Sequence, residues 1–238
     1  MEKLVYSLWS SPGQDGDTFR DLLLAELPAA LGRLPSVHGA RLAVADSAVQ
    51  PASGRRMESH PPVPAALLSL WVDYAVEASW QPLVNSLADR SSGYLVAEAE
   101  PLQSGRSHPA GVGERVYGMC HVVWLRKPAQ LDRREWLAIW KGSHTRVAID
   151  TQSTFGYRQN VVVQALDADC PPCDAIVEEH FPPEAMTSDH AFYATGGDET
   201  LLQQHMTAMI ESCTRFIDFE HIDVVPMSEY LLKPLAVP

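Results

Sequence analysis

Tyr117-Gly-Met-Cys-His-Val-Val-Trp124, followed by Leu131-Asp-Arg-Arg-Glu-Trp136-Leu-Ala-Ile-Trp140-Lys-Gly-Ser-His144-Thr-Arg-Val-Ala148, is the stretch on which the fold turns. The first segment is short and rich in β-formers, and it predicts a strand. The second carries Trp136, Trp140, His144 and Ala148 at steps of four, the buried face of a helix running to about residue 149. Strands are expected over 155–164 and 174–181. A helix with Leu202, Met206, Met209, Ile210 and Cys213 on one side is expected over 201–216, and a last strand opens at Ile222. The order is β-α-β-β-α-β.

The same order precedes it. Residues 3–9 read as a strand closed by Ser10-Ser-Pro-Gly13. Residues 19–34 form an amphipathic helix that Asp17 and Thr18 can cap and that Pro28 bends or interrupts. Strands at 37–44 and 66–74, a Pro-rich loop at 51–64, a helix at 80–88 and a strand at 94–99 complete the set. Residues 102–114, rich in Gly, Ser and Pro, read as a linker between a first unit at 1–101 and a second at 115–238. The expected fold is α+β: two tandem ferredoxin-like (βαββαβ) repeats with antiparallel sheets. Each repeat lays both helices on one sheet face, and the two bare faces pack together around a barrel-like cavity.

Composition narrows the function. Thirty acidic against 18 basic residues give a net charge of -12, which disfavours nucleic acid and anionic lipid as partners. No apolar run approaches the roughly 18 to 20 residues of a membrane span, and Met1-Glu-Lys-Leu-Val5 lacks the start of a signal peptide, so the chain reads as cytoplasmic. With 46% hydrophobic residues it can bury a core. Cys170-Pro-Pro-Cys173 has the spacing of a metal or redox pair, but no second pair completes a zinc set, and two reduced thiols in a loop is the plainer reading. Cys120 and Cys213 sit among apolar neighbours as small core residues. Phosphate-loop, nucleophile-elbow and zinc-helix motifs do not occur, so neither nucleotide nor metal is expected.

His144 is the candidate general acid or base, since an imidazole titrates near neutral pH; the alternative is a histidine hydrogen-bonded to the start of the next strand. Tyr157 and Asn160 could hold and orient a ligand oxygen, or be satisfied buried polar groups. Alternation places Ile176, Glu178 and His180 on one face of their strand and Val177, Glu179 and Phe181 on the other. Glu178 and His180 could line the cavity as a proton-transfer pair, or belong to a solvated edge strand. His190 and His205 read as surface residues. In the first repeat Leu27 stands where His144 stands in the second, which makes the first repeat structural.

Trp140-x-x-x-His144, then Tyr157-x-x-Asn160-Val161, the strand Asp174-Ala-Ile-Val-Glu178-Glu-His-Phe181 and the turn Arg215-Phe-Ile-Asp218 together resemble the EthD family over about residues 115 to 232. Where that family often has Pro-Leu after the histidine, this chain has Thr145-Arg146. The resemblance implies a dimeric α+β barrel and a homodimer; the alternative is that fusion of the repeats lets a monomer close its own barrel. It also implies a pocket for a small hydrophobic or aromatic molecule, in a setting of xenobiotic breakdown or polyketide-type chemistry. Trp140, Tyr157, Asn160, Glu178 and His180 would bind the substrate, and His144 would move a proton without a cofactor. An accessory protein of a degradation operon that binds the same molecule unchanged is the alternative. The architecture alone also admits haem on His144, His180 or His190, as in chlorite dismutase-like and dye-decolourising peroxidase-like proteins, although their motifs do not occur.

Overall fold

In the computed structural model, which describes residues 1–235, each half of the chain runs β-α-β-β-α-β, and the two sheets join into one closed antiparallel barrel. The first half comprises β1 (Glu2–Trp9), α1 (Gly16–Gly32), β2 (Val37–Val44), a two-residue β3 (Met57–Glu58), β4 (Ala66–Val72), α2 (Gln81–Leu87) and β5 (Arg90–Leu102). One helical turn, α3 (Ser104–Ser107), leads to β6 (Met119–Leu125). The second half continues with α4 (Arg133–Ile139), a π turn (Trp140–His144), α5 (Thr145–Thr151), β7 (Gly156–Ala165) and β8 (Ala175–Phe181). It ends with α6 (Asp189–Phe192), α7 (Glu199–Cys213) and β9 (Ile222–Lys233). Strand order is β2-β4-β1-β5 in one sheet and β7-β8-β6-β9 in the other. The pairings β5–β7 and β2–β9 close the ring within a single chain.

Alternation along each strand sorts side chains into three larger cores, beside a smaller cluster around Met119, Phe181 and Phe192. Leu4, Tyr6 and Leu8 face outward, where Phe19, Leu23, Leu27 and Leu31 of α1 bury one stripe against them. Val161, Ala175 and Val177 face outward on the other side, under Trp136, Trp140 and Ala148. Val5, Leu67, Val96, Val122, Ile176 and Met227 point inward and fill the middle of the barrel. Burying each of the indoles of Trp80, Trp136 and Trp140 is worth about 2 to 3 kcal/mol, so the helices are held to the sheets chiefly by aromatic packing.

Several local expectations change in the tertiary context. Asp15, not Asp17 or Thr18, caps α1, accepting from the Thr18 amide at 2.9 Å; Asp17 turns away to the Ser47 amide at 3.0 Å. Pro28 is absorbed without ending α1. The strand expected at 94–99 extends through Leu102, because Leu102 pairs with Tyr157 across the seam between halves. The stretch 102–114 is tied down as well: the amide of Gly113 donates to Leu231 O at 2.7 Å. β8 lies between β7 and β6, so Glu178 and His180 are interior groups and the solvated-edge alternative is corrected. β6 starts at Met119, since Gly118 adopts φ +78° where a Cβ would lie 2.0 Å from Phe181 O. His190 and His205 are half-buried rather than on the open surface; His205 Nδ1 lies 2.7 Å from Tyr193 O.

Candidate functional site

The six residues singled out in the sequence are divided by the wall of the barrel. Trp140 and His144 belong to the π turn, and Tyr157 faces them from the outer side of β7; Asn160, Glu178 and His180 face the lumen. Outside, Trp140 Nε1 donates to Tyr157 Oη at 3.0 Å, and the His144 ring packs 4.5 Å from that of Phe216. His144 Nδ1 lies 2.9 Å from Ser212 Oγ on α7, so its hydrogen bond is to a helix and not to the next strand. Burial, with Arg215 nearby, holds its pKa down to about 4, a neutral imidazole at physiological pH. Opposite Tyr157 on the outer face, burial pushes the Glu179 carboxyl up to about 7. Phe216 lies against the His144 ring with Trp140 stacked behind it, so a haem held by His144 would have to displace this packing.

One end of the lumen is a buried ion network. Arg158, 1% exposed, donates through Nη1 to Glu178 at 2.5 Å and through Nη2 to both Glu229 oxygens at 2.8 and 2.6 Å. Lys3 reaches Glu98 at 2.6 Å and Glu178 at 3.4 Å, while Arg41 reaches Glu229 at 2.9 Å. Asn160 Nδ2 donates to Glu178 Oε1 at 3.0 Å. Burial pushes the Glu178 carboxyl up, but Arg158 and Lys3 outweigh it and leave the group below its ordinary value; Glu229 is likewise held well below, chiefly by Arg158. The expected partnership of Glu178 with His180 is therefore replaced. The carboxylate facing the imidazole is Glu229, 3.2 Å from Nε2, and Glu178 belongs to the two cations. None of the residues in this network other than Asn160, Glu178 and His180 was singled out. Arg158 sits at an inward position of a strand whose alternation was legible, and that is the signal that could have found it.

The opposite mouth opens on a cavity of about 280 Å³. Trp124 forms its floor, its Nε1 donating to Ser7 Oγ at 2.9 Å, and Trp9 forms a wall, its Nε1 donating to Pro62 O at 2.8 Å. The Arg90 guanidinium covers Trp9 at 4.3 Å from the ring centre, and Tyr94 Oη donates to Pro171 O at 2.7 Å. The rim carries His60 and His221, stacked 5.1 Å apart and 18° from parallel. His221 Nδ1 lies 2.9 Å from Asp218 Oδ2, and hydrogen bonding from His221 lowers the Asp218 pKa. An imidazole oriented by a carboxylate at the edge of an aromatic cavity can take a proton from a bound hydroxyl or an acidic C–H. His60, 161 residues away in sequence, came from a segment read as loop, so only tertiary folding reveals this pair. Pro171, Pro172 and Cys173 close one side; the thiols of Cys170 and Cys173 are directed at Gly93 O and Ala175 O at 3.3 and 3.1 Å.

A closed α+β barrel folded from one chain, with a ligand-sized aromatic cavity at one mouth and a sealed ion network at the other, is the class of protein defined here; the architecture is that of dimeric α+β barrel proteins. Among solved structures the chain is similar to an anthrone oxidase-like protein, at 9% identity and a TM-score of 0.52, covering 99% of this chain and 95% of that one. It also aligns with a mutant chlorite dismutase from Candidatus Nitrospira defluvii in complex with cyanide, at 10% identity and a TM-score of 0.47, over 97% and 91% of the two chains. At such identity the likeness to the first is one of fold. No family model and no curated protein matches the sequence. Among the described residues no helix is long and apolar enough to cross a membrane.

Proposed function

We propose that this chain is an EthD-like protein that binds a small, flat, largely apolar organic molecule in the barrel-mouth cavity, and that His221, oriented by Asp218, moves a proton on it without a cofactor. The observation that carries the reading is the juxtaposition of an aromatic-walled cavity with a carboxylate-held imidazole on its rim. Trp124 and Trp9 offer ring faces, and Ser7, Tyr94 and Arg90 offer the few polar atoms that would orient a phenol or ketone. Trp140, His144 and Tyr157 then serve to seat the helix on the sheet. Binding without turnover, as in an accessory protein of a catabolic operon, is the same pocket with His221 idle.

A second reading places the chemistry beneath the helices, at His144, Tyr157 and Glu179. It is favoured by one observation: Glu179 is the cross-strand partner of Tyr157 on that face, where burial raises its carboxyl to about 7.

The two readings separate in one experiment. Bicyclic and tricyclic phenols and ketones are titrated against the protein with indole fluorescence as the signal, and native mass spectrometry identifies anything that co-purifies. The mouth reading expects saturable quenching, weakened at least about tenfold by Trp124→Ala and unchanged in His144→Asn. Loss of binding in His144→Asn with Trp124→Ala unaffected would move the site beneath the helices. Turnover abolished by His221→Asn, with binding retained, would mark the enzyme from the carrier.

A further inference from the structure

Three groups able to ligate a metal meet deep in the lumen, at the end away from the mouth cavity. Cys120 of β6, His180 of β8 and Glu229 of β9 come from adjacent strands and bring Sγ, a ring nitrogen and a carboxylate oxygen within 4.8 Å of one another. Cys120 and His180 are direct cross-strand partners, which fixes their side chains on the same inner face. We propose that this trio is a binding site for a divalent, borderline-soft metal ion of the zinc class.

A second observation points to a ligand. His180 is 1% exposed, and neither ring nitrogen has a well-formed hydrogen bond among the described residues; a Glu229 oxygen lies 3.2 Å from Nε2. A buried imidazole without partners is costly. An ion between Nε2 and Glu229 would satisfy it, since ligand atoms around a tetrahedral ion with bonds of about 2.0 to 2.3 Å lie about 3.5 Å apart. Sulfur with nitrogen and oxygen suits zinc and its neighbours rather than magnesium or calcium. Arg158 and Arg41 do not oppose this: they hold the Glu229 carboxylate from its other sides, as hydrogen-bonded groups around ligating carboxylates commonly do.

Charge gives the same answer. Lys3, Arg41 and Arg158 contribute three positive charges, and Glu98, Glu100, Glu178 and Glu229 four negative ones, a balance of minus one. On coordination the Cys120 thiol releases its proton to solvent, taking the balance to minus two, which a divalent ion cancels. Three protein ligands leave a coordination position open.

The test is metal retention by the full chain. Protein loaded with zinc(II) or cobalt(II) under reducing conditions and then desalted is expected to keep about one equivalent. The cobalt form is expected to show a thiolate-to-metal charge-transfer band. Cys120→Ser is expected to remove the band, and His180→Ala to weaken retention at least about tenfold. Cys170→Ser with Cys173→Ser controls for the thiol pair near the lumen opening and is expected to keep both. Wild-type protein that retains no metal, or a band lost in the Cys170/Cys173 double variant and kept in Cys120→Ser, overturns the proposal. Should the buried variants fail to fold, the wild-type and double-variant spectra decide by themselves.

Discussion

Arg158 holds Glu229 through both carboxylate oxygens, at 2.8 and 2.6 Å, in the barrel lumen, and its other arm holds Glu178 at 2.5 Å. The seam between the halves runs beside it, where Arg158 Nε meets Glu100 of β5 at 3.2 Å. One guanidinium thus compensates carboxylates from β5, β8 and β9.

Arg158→Met is expected to lower stability by about 3 to 5 kcal/mol, because it leaves buried carboxylates unpaired. Urea unfolding checks this. A loss below about 1 kcal/mol would mean that Lys3 and Arg41 alone suffice.

Glu179 sets a slope on stability with pH. Its folded pKa of about 7 lies above the unfolded value near 4.5, so between those values the folded state holds a proton the unfolded state lacks. Its contribution is present in full below about 4.5 and is lost as pH rises toward 7. Glu179→Gln should therefore be relatively more stable at pH 8 than wild type and should lack this slope. Melting temperatures across that range provide the comparison.

His121 acts in the opposite direction. Burial and Arg55 push its pKa down to about 3, its ring lies 5.3 Å from that of Phe181 and 5.6 Å from that of Phe192, and Nε2 has no partner among the described residues. Below about 6.5 the unfolded chain takes up a proton that the folded chain refuses, so stability falls as pH drops toward 3. His121→Phe should flatten that fall and add about 1 kcal/mol at neutral pH by removing an unsatisfied group. A destabilised variant would show that Nε2 has a partner after all.

Gly118→Ala should destabilise by about 2 kcal/mol or more. The residue sits at φ +78°, and an added methyl would lie 2.0 Å from the carbonyl oxygen of Phe181, which is backbone and cannot swing aside. Gly142→Ala, where nothing lies within 4 Å of the added carbon, serves as the control and should be neutral or stabilising in thermal melts.

Strands and helices were legible because burial on one face imposes a period of two or of about 3.6, and both periods are local. Val37–Val44 came out at its observed bounds, and that Ile176, Glu178 and His180 share one face was readable from alternation, though not that this face is the inner one. The helical stripe Trp136, Trp140, His144, Ala148 is buried along its whole length, although a π turn lies in its middle. The turn was not legible: the Ser143 hydroxyl bonding back to Ile139 O is a contact that an α-helix permits as well, and the Thr145 hydroxyl reaches Trp140 O, five residues back, only once the turn has formed.

The sequence by itself determined the element order and which side chains share a face, since these follow from spacing along the backbone. Which barrel face each candidate occupies relative to the others, and that the ring closes through β2–β9 and β5–β7 inside one chain, was decided only in three dimensions. The same holds for the sites. Asp218 and His221 lie three residues apart in a turn, but His60 reaches them, and Cys120 reaches His180 and Glu229, only because strands distant in sequence are neighbours in the sheet. Pairing between strands depends on the edges that remain open once each half has folded, and no local periodicity records that.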